Sequence, residues 1–116
     1  MSTHETDLAW AAGFIDGEGC WSSHRDRRWN TKNIRLTVAQ KRIDCLERLS
    51  GVLKIGKIYP SRTNGTCILQ VAIIDDVLRV AEDLWPYMST PKKEQLVKVL
   101  YEVKEHKDNT NRKVNS

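Results

Sequence analysis

Cysteine is scarce in this chain. Cys20, Cys45 and Cys67 are odd in number, widely separated and form no Cys-x-x-Cys pair. That excludes a disulfide framework and the usual zinc spacing, and it fits a reducing compartment. Long hydrophobic runs are also missing: none approaches the ~18 residues a membrane span needs, and residues 1–7 are polar, without the apolar centre of a signal peptide. An intracellular protein that does not enter a membrane is the expectation. Histidine offers no metal-ligand spacing at His4, His24 and His106. No Ser-His-Asp arrangement, glycine-rich phosphate loop or cysteine cluster competes for an active site, and no small-molecule cofactor is expected.

Acidic residues are scarce in one segment only. Residues 20–66 hold eleven Lys and Arg against three acids, whereas the first nineteen residues carry four acids and no base. The remainder has eight of each sign, so the net charge of +4 conceals a local excess of +8. Such a concentration reads as a surface for a polyanion; its plainer alternative is a solvated basic face. At 116 residues the chain is long enough for one hydrophobic core. Residues 1–106 are expected to form that single domain, with 107–116 a polar tail that frays or is disordered.

Against these absences stands a greasy, small-residue stretch from Leu8 to Gly19. At 100° per residue, Leu8, Trp10, Ala11, Phe14 and Ile15 share one broad face, and Ala9, Ala12, Gly13 and Asp16 fill the other. The second face is small rather than polar, so the helix is expected to be buried on all sides. Ala9, Gly13 and Gly17 place a small residue every four positions. An interior helix glycine costs about 1 kcal/mol against alanine, so a close backbone approach should repay it. Glu18 then sits between Gly17 and Gly19 at the negative end of the helix dipole, a position suited to a carboxylate that meets a cation.

Ala12-Gly13-Phe14-Ile15-Asp16-Gly17-Glu18-Gly19 resembles the last eight positions of the signature of the LAGLIDADG homing endonucleases, with Ala11 in place of the leading leucine. The resemblance implies a helix that pairs with a second copy of itself. A single copy of the motif implies a homodimer, with Ala9, Ala12, Gly13 and Asp16 at the interface, Asp16 bonding there rather than binding metal. A face of alanine and glycine with no partner later in a short chain points the same way. Glu18 is implied to be the metal-binding catalytic carboxylate over the scissile phosphate. The metal the resemblance implies is Mg²⁺, with Mn²⁺ expected to substitute. Gln40 matches the family position that orients water. Lys92 or Lys93 matches its basic residue at the start of the last helix, with Lys92 favoured by the downstream Gln95. The family often carries a second basic residue shortly after the Gln40 position, where Arg42 is one candidate and Asp44 occupies the other alignment.

Along the chain, Ser2 or Thr6 is available to cap the first helix, Ser2 with Glu5 as a capping box. Residues 20–25 read as a strand with Trp21 inward, and residues 33–40 alternate clearly, with Ile34, Leu36 and Val38 inward. Ile43, Leu46, Leu49 and Leu53 then recur at helical spacing over 42–53. A strand over 56–62, the Asn64-Gly65 turn and a strand over 66–72 make a hairpin. Asp75 or Asp76 is placed to cap a helix that Pro86 stops, and Thr90 with Pro91 at the first position opens the last. The order αββαββα plus a C-terminal helix defines an α+β fold: a four-stranded antiparallel saddle sheet with helices on one face.

The open face of that sheet would carry Ser22, His24, Asn33, Arg35, Thr37, Lys57, Tyr59, Ser61, Thr66 and Gln70, with Arg27, Arg28 and Arg62 in its connections. An antiparallel sheet with one wet face is common, yet these residues share the segment with the basic excess. A β-ribbon also fits the major groove, where base edges differ in donor and acceptor pattern. Double-stranded DNA is the partner the resemblance implies, with the activity a site-specific, metal-dependent phosphodiester hydrolase acting on a long pseudo-palindromic site. A non-cleaving nucleic-acid binder on the same fold and a protein-interaction module are the alternatives.

Overall fold

The computed structural model describes residues 3–26, 28, 31–60 and 64–115, with the side chains of Thr3, Asp26 and residues 108–115 outside that description. The elements are α1 (Thr3–Glu18), β1 (Gly19–Asp26), β2 (Thr31–Gln40), α2 (Ile43–Leu53), β3 (Lys57–Pro60), β4 (Cys67–Val71), α3 (Ile74–Leu84), a 3₁₀ turn (Trp85–Tyr87) and α4 (Thr90–Asn115). Four antiparallel strands run in the spatial order β1-β2-β4-β3. The alternation in β2 decides which side is wet: Ile34, Leu36 and Val38 are fully buried, while Asn33, Arg35, Thr37 and Ala39 lie on the other face. Trp21, Leu69 and Val71 join the buried side, where Leu46, Leu49, Val77, Val80, Leu84 and Leu96 cover them from the helices. None of the helices among the described residues is long and apolar enough to cross a membrane.

Several local expectations differ in the structure. Thr6 lies inside α1 rather than at its cap, and Ser2 falls outside the described residues. Neither Asp75 nor Asp76 caps α3: the N-cap is Ile73, without a side-chain hydrogen bond, and both acids sit in the first turn, where they favour the helix dipole. Strand β3 begins at Lys57 rather than at Gly56, which turns the chain at φ +109°, and its expected continuation over 61–62 lies outside the described residues. The Asn64-Gly65 turn leads into β4. In it Asn64 Oδ1 accepts the Thr66 N–H at 3.1 Å and Gly65 takes φ +72°. Ile43, placed on the apolar side of α2 by its spacing, is 47% exposed at the first residue of the helix. The backbone of α4 runs as helix from Thr90 to Asn115.

The first helix is buried on one side only. Leu8, Ala11, Ala12 and Ile15 point into the core of their own chain, and Ala12 is 1% exposed. Ala12 therefore leaves the expected pairing face, a correction that follows from its angle on the helix: it lies about 60° from Ala9 on the core side. Gly13 and Gly17 are exposed, Ala9 half-buried, and a Cβ built on either glycine meets nothing within 4 Å. Trp10 and Phe14 flank that stripe, their ring centroids 5.4 Å apart, and the Arg48 guanidinium of α2 stacks over Trp10 at 3.9 Å.

Candidate active site and nucleic-acid face

Glu18 ends α1 and Gly19 begins β1, so the acid lies where the chain passes from helix to sheet. The passage is tight: a Cβ on Gly19 would stand 2.7 Å from Ile15 Cγ2 and 3.0 Å from its carbonyl oxygen. Only glycine lets the strand leave the helix there. Glu18 itself is exposed.

The start of α4 meets this junction. Lys92 Nζ donates to the Gly19 carbonyl at 2.5 Å, which brings an ammonium within one residue of Glu18. Lys93 turns elsewhere, its Nζ 5.0 Å from the centre of the Trp85 ring. The structure thus separates two lysines that the sequence leaves as alternatives. Gln40 reaches the same end of the sheet, because Gly19 pairs with Val38 and Gln40 lies two residues farther along β2. Its Oε1 accepts the Lys41 N–H at 2.8 Å. Arg42 is engaged bidentately by Asp44 at 3.1 and 3.2 Å, both side chains exposed, so it is turned back along its own helix start.

Asp16 is half-buried and engaged within its own chain. Its Oδ1 accepts both the Ser89 hydroxyl (2.9 Å) and the Ser89 N–H (3.3 Å), tying the end of α1 to the start of α4 within one chain. Ser89 is in turn the N-cap of α4. Its carbonyl accepts from Lys93 N–H at 2.9 Å and its Oγ from Lys92 N–H at 3.4 Å, which moves Pro91 from the first helical position to the second. Gln95 Oε1 accepts the Trp21 N–H at 2.9 Å on the free edge of β1. Sequence reasoning misses Ser89 and Gln95 as parts of this site. A serine just before Thr90-Pro91 is a cap signal, but nothing local names Asp16 as its partner.

On the open face the register sets rows of side chains. Cys20, Thr37, Gln70 and Lys57 lie in one row, Ser22 beside Arg35 in the next, and His24 beside Asn33 beyond it. With the Gln70 amide oxygen facing the guanidinium, it accepts from Arg35 Nε at 2.5 Å and Nη1 at 3.1 Å. On the other side, Ala39, Ile68 and the half-exposed Tyr59 form an apolar row. Arg28 is exposed in the β1–β2 connection, and Thr66 precedes β4. Arg27, Ser61 and Arg62, also placed on this surface by the sequence, and Trp29 lie outside the described residues. Cys20, exposed on this face, is an addition to the surface residues expected from the sequence.

A mixed α+β unit whose first helix ends in an exposed acid, with a lysine held beside it and a polar sheet face extending from it, defines the class of fold and site. The family model described as LAGLIDADG endonuclease matches residues 11–111, and the chain belongs to that family. No curated protein is similar enough in sequence to match the chain. Among solved structures, the homing endonuclease I-CvuI in complex with a DNA target in the presence of 2 mM Mg, its DNA not cleaved, is similar at 26% identity and a TM-score of 0.75, over 87% of this chain and 68% of that one. An archaeal intron-encoded homing endonuclease, I-Vdi141I, complexed with DNA, shares the fold at 19% identity and TM-score 0.68, over 88% of this chain and 84% of that one. The LAGLIDADG meganuclease I-AabMI, bound to uncleaved DNA, shares it at 21% identity and TM-score 0.69, over 93% of this chain but 39% of that one.

Proposed function

We propose that this protein is a site-specific double-strand DNA endonuclease, working as a homodimer with a divalent metal on a long pseudo-palindromic duplex. The observation that carries the reading is the placement of Lys92 on the Gly19 carbonyl, next to Glu18 and at the sheet end that Gln40 occupies. Family membership and the DNA complexes of similar proteins support it.

The donor chemistry fits Mg²⁺, which binds through one or two carboxylates together with substrate phosphates and water. Glu18 is an exposed hard-oxygen donor, and among the described residues no group of three or more His, Cys, Asp or Glu forms a closed metal cage. One carboxylate per chain suits a site completed by a second copy and by phosphate. When bound, the metal neutralises phosphoryl charge and activates water. Lys92 would present its remaining ammonium donors to the phosphate, and the Gln40 amide would orient water. Arg35 and Gln70 would face base edges, with Arg35 suited to guanine and Gln70 or Asn33 to adenine.

Selecting cleaved molecules from a randomised duplex library with Mg²⁺, beside a Ca²⁺ binding arm, tests the reading. A near-palindromic cut site supports it. Enrichment by binding without cutting would make the protein a non-cleaving DNA binder. Absence of duplex binding even at low salt, where phosphate contacts are strongest, would make it a protein-interaction module. The lysines supply a finer check: Lys92→Ala is expected to slow single-turnover cleavage by on the order of 10²-fold, while Lys93→Ala cuts near the wild-type rate. Equal losses in the two variants would remove the special role of Lys92.

A further inference from the structure

The geometry points to Ser89 as a positioning residue that holds the two charged groups of the cleavage site in one frame. Its hydroxyl has two roles at once. It donates to Asp16 Oδ1 at 2.9 Å, two residues before Glu18, and it accepts from the N–H of Lys92 at 3.4 Å. The Ser89 N–H adds a second bond to the same carboxylate oxygen at 3.3 Å. One hydroxyl therefore links the helix that ends in Glu18 to the turn that carries Lys92.

The link belongs to a longer seam. Ser89, Lys92 and Gln95 recur every three residues and so lie along one side of the first turns of α4. They engage Asp16, the Gly19 carbonyl and the Trp21 N–H in chain order. The α1-to-β1 passage is thus read, residue by residue, by the start of α4. Ser89 is the member of that seam which touches both catalytic elements, its hydroxyl engaged on each side within the chain. A serine cap alone would need only the Lys92 N–H. The second bond, to a carboxylate 73 positions away in sequence, makes it a tether.

This inference rests on the assignment of Glu18 and Lys92 to the cleavage site. Outer hydrogen-bond partners of catalytic and metal-binding groups are commonly worth about 10–100-fold in activity. Ser89→Ala is therefore expected to slow single-turnover cleavage at saturating Mg²⁺ by at least about tenfold, with duplex affinity in Ca²⁺ unchanged. Ser89→Thr, which keeps the hydroxyl, is expected to restore most of the rate. Because the hydroxyl acts through Asp16, the double variant Ser89→Ala/Asp16→Asn should lose no more than the worse single variant. If Ser89→Ala proves too unstable to assay, the comparison of Ser89→Thr with Ser89→Cys carries the test, since only threonine keeps an oxygen that accepts from Lys92 N–H well. Wild-type cleavage by Ser89→Ala alongside an inactive Glu18→Gln overturns the tether while leaving the site intact. Parallel losses of cleavage and duplex affinity, or Ser89→Thr as slow as Ser89→Ala, also overturn it. Wild-type cleavage by Glu18→Gln fails the underlying reading instead.

Discussion

Glu18→Gln is expected to lower duplex cleavage by on the order of 10³-fold or more, while affinity for the same duplex in Ca²⁺ stays within a few-fold of wild type. The amide keeps the size and position of the carboxylate but removes its charge, so the change isolates what the charge contributes. Glu18 is exposed at the C-terminal end of α1, where the helix dipole disfavours an anion. Lys92, at this junction, bonds to the Gly19 carbonyl. The protein thus keeps a charge where folding gives it little return, as expected when a metal and a phosphate are its partners. Stability should follow: Glu18→Gln is expected to leave the melting temperature unchanged or slightly raised. Single-turnover kinetics on the selected site, with a melting curve beside them, check both parts. Cleavage at the wild-type rate would take Glu18 out of the chemistry.

For the proposed homodimer, Gly13→Leu is expected to split the two copies, raising their dissociation constant by about 10–100-fold or more. The isolated chain makes the opposite forecast. A Cβ at Gly13 meets nothing within 4 Å, Gly13 is exposed, and leucine is a far better helix former than glycine. A protein that worked as a monomer would therefore gain about 0.5–1 kcal/mol from the change. Only a second backbone lying against the Ala9, Gly13 and Gly17 stripe turns that gain into a clash. Sedimentation or light scattering over a concentration series reads the outcome directly. Unchanged association together with a higher melting temperature would mean that the stripe has no partner and that the homodimer is wrong.

The two glycine classes in this motif show how far sequence reaches. Gly13, Gly17 and Gly19 look alike in the sequence, yet Gly19 is demanded by its own chain, where Ile15 would stand 2.7 Å from any Cβ at that position, and the other two are not. Ala12 groups with Ala9 as small and outward on spacing alone. Its place on the wheel is intermediate, and the core of its own chain claims it. Similarly, Lys92 and Lys93 are neighbours with the same chemistry, and a helix turns them about 100° apart. One reaches Gly19 and the other Trp85.

Local sequence is enough to set the order of elements, which strand residues face the core, the position of the acid at the end of a small-residue helix, and the basic, polar character of the open sheet face. All of these depend on neighbours within a few positions: period-two or helical spacing, glycine, proline and local charge. Tertiary packing decides the order β1-β2-β4-β3, which of Lys92 and Lys93 reaches the Gly19 carbonyl, the burial of Ala12 in its own core, the bond of Asp16 to Ser89, and the seam from Ser89 to Gln95. The physical reason is sequence separation. The seam joins residues more than seventy positions apart, and such pairs are within reach only where the packed core holds α4 against β1 and β2.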